Sequence, residues 1–361
     1  MLNTIVTILE FVLFFGLTIF IHEFGHFLMG RLFKVDIEEF GFGYPPRMLK
    51  LFTAKGTIFS LNWIPFGGFV RFKGEEDPGQ SGSLASEKPY KRLIILSSGA
   101  LMNILTGILI FSLVFMQTGI PDQNRVEIMQ VAASSPAETA GILAGDLIIA
   151  VNGEVVEGMQ GLTDRIQENL GKEVIITIER HNEKIDIPIT PRENPPVGEG
   201  AMGIVMSSAV KQVSYIQAIP YSIQSVYEYA KLLVQMPILL IRGQIAPEDA
   251  RVVGPKGIYD MFSQAREQDA DVTTSQGSTP AVNTLWLLAI FSVSIGLTNL
   301  LPIPALDGGR ILFLLPELLF KRRVKPEYES LVHLIGFALL IIFMVYVTFQ
   351  DFANPIVVPN Y

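Results

Sequence analysis

The sequence predicts a polytopic α-helical membrane protein of about four transmembrane helices, with a soluble α+β domain inserted between the second and third. Three observations predict it. Apolar residues make up 49% and charged residues only 17% of the 361 positions, well short of the roughly 25% charge of an average soluble domain. Four apolar stretches are long enough to cross a hydrocarbon core of about 30 Å, which takes roughly 20 residues of helix. Between the second and third lies a long segment with short β-like runs and glycine turns.

The first stretch, from about Ile5 to Phe33, is interrupted by Glu10 and by His22, Glu23 and His26. It lacks a basic N-terminal region and a small-residue cleavage site, so it reads as a retained span rather than a signal peptide. The second runs from about Leu93 to Met116 and carries Asn103. The third, from about Leu285 to Leu301, ends in the proline-rich LLPIPALDGG. The fourth, from about Leu331 to Phe349, contains His333.

Loop charge orients these spans. Residues 27–92 carry ten Lys/Arg, and 306–330 carry five, four of them clustered at Lys321, Arg322, Arg323 and Lys325. Segment 118–284 carries twelve Lys/Arg against twenty-one Asp/Glu. Basic short loops stay cytoplasmic. Both termini and segment 118–284 are therefore expected on the outer side.

Within that segment, Asp122 to about Ser207 reads as one soluble domain. Strands are expected at Val126–Val131, Leu147–Asn152, Val174–Arg180 and Ile185–Thr190, with a helix around Gly161–Leu170. Pro191–Gly200 reads as a linker. Ser214–Arg242 has helix-like spacing, with breaks expected at Pro220 and Pro237. It suits an amphipathic helix on the outer membrane surface, or equally a helix packed on the soluble domain. Residues 266–281 read as a flexible polar connector.

Composition limits the chemistry. A net charge of −8 argues against a nucleic-acid partner. Cysteine is absent, so any transition-metal site must use His, Asp or Glu. HEFGH at 22–26 supplies two of these ligands. His22 and His26 stand four residues apart, on one face of a helix, where both imidazoles reach one ion. Ionisable groups in an apolar helix are costly and face a polar interior. A structural histidine pair leaves Glu23 unexplained. A catalytic zinc takes three protein ligands and leaves one position open. Asp307, after Pro302 and Pro304 and before Gly308–Gly309, is the third candidate. Read alone, it fits the cap of the next helix; read with HEFGH, it fits a ligand. His181 reads as a surface residue of the outer domain, and His333 as a core or interfacial one. This set suits metal-assisted peptide hydrolysis with Glu23 as general base. The substrate helix must unwind, and an edge strand is suited to hold it extended.

On these residues the chain resembles the site-2 protease family of intramembrane zinc metalloproteases, and within it the regulator of sigma-E protease branch. HEFGH matches the family's zinc helix, and Asn299–Gly308, read as N-x-x-P-x-P-x-L-D-G, matches its second signature. The resemblance implies zinc ligation by His22, His26 and Asp307, catalysis by Glu23, and contact of Asn299 with extended substrate. FGFGYPP at 40–46 is similar to the family's Gly-x-Gly segment. IPFGGFVRFKGE at 64–75 is similar to its membrane-associated β-hairpin, which implies a substrate clamp at Phe69, Val70 and Arg71. SGALMN at 98–103 departs from the family's Gly-Pro-x-x-Asn at Ala100.

SPAETAGILAGDLIIAVNG at 135–153 is similar to PDZ domains of envelope proteases. AMGIVM at 201–206 resembles the loop and strand that bind peptide C-termini, which implies a carboxylate seat at Met202, Gly203 and Ile204. A closed PDZ acting as a size filter fits equally. GPKGIYD at 254–260 resembles a segment that follows the PDZ in relatives.

The expected organisation is then a first membrane half (1–120) with the zinc helix and hairpin, a PDZ domain (122–207), an amphipathic and linker region (208–284), and a second membrane half (285–361). The implied activity is regulated intramembrane proteolysis with one catalytic zinc ion, in the inner membrane of a bacterium. The zinc site lies near the cytoplasmic side, with the PDZ domain and both termini outside. Implied substrates are single-span proteins already trimmed outside, such as anti-sigma factors or remnant signal peptides, met in membrane lipid. A non-catalytic membrane-anchored PDZ adaptor is the competing reading. A metal transporter would need charged pathway residues that the second and fourth spans lack.

Overall fold

The computed structural model describes residues 2–75, 82–196, 198–245, 251–276 and 281–355. Helix α1 (Leu2–Leu32) leads into strands β1 (Ile37–Ala54) and β2 (Thr57–Phe72), then helix α2 (Pro89–Thr118). There follow β3 (Ile120–Val131), α3 (Pro136–Thr139), β4 (Leu147–Val151), β5 (Glu154–Val155), α4 (Gly158–Glu168), β6 (Val174–Arg180), β7 (Glu183–Ile189) and β8 (Ile204–Lys211). Helices α5 (Tyr215–Ile241), α6 (Pro255–Gln276), α7 (Val282–Leu300), α8 (Asp307–Phe320) and α9 (Pro326–Ala353) complete the chain.

Four helices among the described residues are long and apolar enough to cross a membrane: Ile5–Leu32, Pro89–Thr118, Val282–Leu300 and Pro326–Ala353. The four stretches read from the sequence fall on them. Many of their large apolar side chains, such as Leu13, Leu105, Leu334 and Ile342, are exposed. A helix with apolar residues on every face needs lipid or a core around it.

The chain divides into two compact units. Met1–Val114 with Ile219–Tyr361 form one, and Phe115–Ala218 the other.

In the first unit, α2 and α7 approach closely through small residues. A Cβ at Gly107 would meet Val293 Cγ2 at 2.3 Å, and one at Gly296 would meet Ala100 O at 2.7 Å. Ser292 Oγ donates to Asn103 O (2.8 Å). Such packing is how helices associate where apolar burial gives no drive. Helix α6 packs Phe262 against Phe11 and Phe14 of α1. Strands β1 and β2 pair antiparallel across a Lys55–Gly56 turn, both residues at positive φ, as a type I′ hairpin turn requires. Strand β2 bends at Gly67 (φ +107°). Its second half therefore returns along the other side of β1, with Phe69 opposite Gly41 and Arg71 opposite Glu39.

The structure departs from three expectations in this unit. Helix α5 runs through Pro220 and Pro237. Hydroxyl pairs tie it to two spans: Ser222 with Ser112 (2.9 Å) and Tyr229 with Ser294 (2.7 Å). Helix α6 extends to Gln276, over most of the expected connector; positions 277–280 lie outside the described residues. Its Asp269 accepts from the N–H groups of Asn283 and Thr284 (2.9 and 3.0 Å) and so caps α7, which has no side-chain cap of its own.

The second unit is an antiparallel sheet in the order β7-β6-β4-β3-β8, with β5 paired to β4. Its core gathers Val126, Ile128, Ile148, Leu162, Ile176 and Ile178. Apolar residues of β3, β4, β6 and β7 share this core with α4's Leu162 and Ile166. Strand β8 stands at the edge.

Candidate metal centre

The site begins with helix geometry. His22 and His26 lie one turn apart on α1, and both are buried. His26 Nδ1 donates to Ile95 O of α2 (2.8 Å). This fixes its tautomer and leaves the Nε2 lone pair free for a ligand. Asp307 opens α8, where the cap position falls on Leu306. Its Oδ2 lies 3.0 Å from His22 Nε2 and 3.2 Å from His26 Nε2. The two Nε2 atoms are 3.2 Å apart. Three ligand atoms bonded at about 2.0–2.1 Å to a tetrahedral zinc stand roughly 3.3 Å from one another, close to this triangle.

Two further observations fit a cation here. His22 Nδ1 is buried with no hydrogen-bond partner among the described residues, so none of them dictates that ring's tautomer. Gly99 of α2 faces the triangle with bare backbone. A Cβ there would lie 2.4 Å from His26 Nε2 and 2.8 Å from His22 Nε2. At Gly25 a Cβ would meet Ser98 O at 2.4 Å. The α1–α2 approach that leaves room for the ion therefore depends on glycine on both helices. The residues present fit zinc.

Glu23 lies beside this triangle and beside β2. Its Cγ would stand 3.1 Å from a Cβ on Gly68, and its carboxylate is in hydrogen-bonding reach of the Val70 backbone. The carboxylate thus sits where metal ligands and strand meet.

The other candidate residues are engaged as follows. Asn299 Nδ2 donates to Ile295 O of its own helix (3.0 Å). Arg71 binds Glu39, a buried carboxylate that also accepts from Arg47 Nε and Ser60 Oγ (both 2.7 Å). Burial opposes Glu39's ionisation, but these hydrogen bonds and the two guanidinium charges hold its carboxyl below the usual range. Phe69 stacks under the Arg71 guanidinium. Val70 packs at the edge of the cluster formed by Val35, Ile37, Phe72 and Ile95. In the second unit, the Met202 side chain is buried in the core and its carbonyl accepts from Ala137 N–H (3.1 Å). Gly203 (φ +74°) donates to Gly200 O (3.0 Å), and Ile204 begins β8 opposite Val131.

Sequence reasoning placed Gly99 and Gly68 within motifs without giving either a role at the metal, and missed the Ile95 carbonyl. The one signal was glycine inside an apolar helix, which usually marks a close approach.

Comparison with known proteins bears on this geometry. The profile of peptidase family M50 matches residues 10–343. The zinc metalloprotease RasP of Oceanobacillus iheyensis is 26% identical, over 96% of this chain and 98% of its own length. The regulator of sigma-W protease RasP of Bacillus subtilis is 25% identical over 96% and 98%. A putative zinc metalloprotease of Clostridium perfringens is 29% identical over 95% and 97%. Among solved structures, the PDZ domain of an SdrC-like protein from Listeria monocytogenes aligns at 24% identity and a TM-score of 0.22, over 24% of this chain and 90% of its own. With the profile spanning both the histidine pair and Asp307, the chain belongs to peptidase family M50.

Proposed function

We propose that this membrane zinc metalloprotease cuts peptide bonds inside the transmembrane segments of single-span proteins, with zinc held by His22, His26 and Asp307. The observation that carries the assignment is the convergence of those three ligand atoms within 3.0–3.2 Å, with Glu23 alongside. The ion, when bound, supplies Lewis-acid polarisation of the scissile carbonyl and acidifies water at the site. Glu23 takes the proton from the attacking water and delivers it to the leaving amine. The Val70 backbone orients that carboxylate.

Substrate positioning follows from β2. Its second half, Gly68–Phe72, pairs with β1 on one side only among the described residues. An unwound substrate adds there as a strand, next to Glu23. Phe69, Val70 and Arg71 line that edge, and Asn299 contacts the extended chain. In this reading Arg71 is held in place by Glu39.

Depth follows from α1. His22 lies 17 residues past Ile5, about 26 Å along the helix at 1.5 Å per residue. With both termini outside a bacterial plasma membrane, the zinc then sits near the cytoplasmic side. Residues 122–207 form a PDZ domain outside, with Met202–Ile204 beside edge strand β8 as a seat for a peptide C-terminus. The name of the Bacillus subtilis relative favours an anti-sigma factor as substrate, trimmed outside before it enters.

Glu23→Gln tests the assignment. In proteoliposomes the variant keeps zinc at the wild-type stoichiometry and loses cleavage of a transmembrane substrate by at least about 100-fold, the lower end of general acid–base contributions. Undiminished cleavage would sink the mechanism. Wild-type protein without stoichiometric zinc would support a non-catalytic PDZ adaptor instead.

A further inference from the structure

The loop that delivers Asp307 is a break in the backbone between α7 and α8, and its conformation is uncommon. Ile303 N–H reaches back to Leu301 O (2.7 Å), and Leu306 N–H to Ile303 O (3.2 Å). Between them Ala305 sits at φ +78°, a left-handed conformation that residues with a Cβ rarely adopt. Such a conformation persists only when its surroundings hold it. Gly308 and Gly309 let α8 fold tightly against the loop: Cβ atoms there would lie 2.1 Å from Leu301 O and 2.4 Å from Ile303 O.

The remaining restraint comes from α9. His333 Nδ1 accepts the N–H of Ala305 at 2.9 Å. Nδ1 accepts, so the ring proton sits on Nε2. Three residues on, Gly336 lets the α9 backbone seat Pro304; a Cβ there would lie 2.4 Å from Pro304 Cβ. Phe313 of α8 packs against the His333 ring at 5.7 Å between centroids. Helix α9 buries Val347 and Asp351 elsewhere along its length, and half-buries His333 and Gly336. Its histidine and glycine thus form a distinct seat for Pro304–Ala305.

We infer that His333 is a positioning residue for the metal site: by accepting the Ala305 N–H it holds the left-handed loop, and through it sets Asp307 against His22 and His26. The inference rests on Asp307 being a zinc ligand. Metal–ligand distances tolerate only about 0.2 Å, and Asp307 lies two residues beyond the held N–H. Without the acceptor, that N–H loses its partner in a broken, half-buried segment, and the loop relaxes towards ordinary backbone.

The test uses the full chain in detergent, with zinc affinity read by competition with a chromophoric chelator. His333→Phe keeps a ring against Phe313 but offers no acceptor; His333→Leu removes both. Each lowers zinc affinity about 10- to 100-fold, the range seen when a partner behind a ligand is removed, and lowers kcat with KM unchanged. His333→Asn, whose Oδ1 stands near the position of Nδ1, restores affinity to within about threefold. Adding Ala305→Gly to His333→Phe recovers part of the loss, because glycine adopts positive φ freely. A role in packing alone predicts that Phe is tolerated, that Asn is as poor as Leu, and that Ala305→Gly does nothing; any of these overturns the inference. Asp307→Ala separates the two levels. If it keeps wild-type zinc affinity, the ligand assignment itself falls. If it loses zinc while His333→Phe binds within twofold of wild type, only the role of His333 falls.

Discussion

Gly99→Ala is the sharpest perturbation of the site that leaves every ligand in place. Alanine is the better helix former by about 1 kcal/mol, so propensity alone predicts a neutral or stabilised α2. The structure predicts the opposite at the metal. The new methyl carbon would stand 2.4 Å from His26 Nε2 and 2.8 Å from His22 Nε2. Carbon packs no closer than about 3.5 Å to such atoms, so the rings would retreat by about 1.1 and 0.7 Å. That exceeds the roughly 0.2 Å a zinc–ligand bond tolerates several times over. His26 cannot retreat freely, because Nδ1 is tied to Ile95 O. Displacing a direct ligand should cost more than the 10- to 100-fold typical of a partner behind one, so zinc affinity falls by more than about 100-fold. Metal content after dialysis against a chelator measures this, with cleavage followed in parallel. Gly16→Ala is the control, on α1 with nothing within 4 Å of the new carbon; it keeps zinc and activity. Stoichiometric zinc and near-normal cleavage in Gly99→Ala would refute the α1–α2 geometry and the ion's place between those nitrogens.

Further predictions concern stability. Asp146 is nearly fully buried; burial opposes its ionisation, but hydrogen bonds from Arg180 and the Leu143 N–H outweigh this and hold its carboxyl below the usual range. Its contribution is therefore fully present above the unfolded carboxylate pKa of about 3.9 and is lost as pH falls through the lower folded value. In Arg180→Gln, hydrogen-exchange protection of β4 drops near neutral pH, and the difference from wild type at matched pH shrinks on acidification; a constant difference would contradict the ion pair. Gly203→Ala places a Cβ at φ +74° and 2.3 Å from Ser135 Cβ, and should cost about 1–3 kcal/mol, read as faster exchange in β8. Asp351, fully buried, accepts from Gly257 N–H (2.9 Å) and Arg251 (2.7 Å). Asp351→Ala leaves the Gly257 N–H unpaired and the Arg251 charge without its carboxylate, with only the Asn354 carbonyl, among the described residues, still accepting from Arg251; it should cost roughly 2–4 kcal/mol and raise exchange over 255–262 with little change in α7.

The parts legible in the sequence were those set by neighbours along the chain. Spans follow from runs of apolar residues, and the histidine pair from a spacing of four that any helix turns to one face. Strands β6 and β7 follow from alternation around the His181–Asn182 turn, both residues at positive φ. Asp307 was legible only as one of two roles, because a residue opening a helix after a broken loop has the composition of a cap whether or not it turns to a metal. The missed parts were fixed by residues distant in sequence. Segment 266–276 looked like a connector because its composition is polar, yet Asp269 is spent on the N-terminus of α7. GPKG at 254–257 gains its role from Asp351, at the far end of the chain.

His333 shows why such cases resist sequence reading. Weighed as a side chain in the last span, it reads as a core or interfacial residue. What decides its role is a backbone N–H on another element. A broken segment frees donors from the helical ladder, and each one that P-x-P releases between α7 and α8 gains from an acceptor within the protein. Proline removes two of those donors at Pro302 and Pro304, the loop pairs Ile303 and Leu306 internally, and Ala305 is left with its N–H turned outward at positive φ. The acceptor comes from the helix packed over the loop: on α9 it is His333. The accounting runs from the broken backbone to the side chain, and it starts from a φ angle that no residue pattern in PIPALDGG displays.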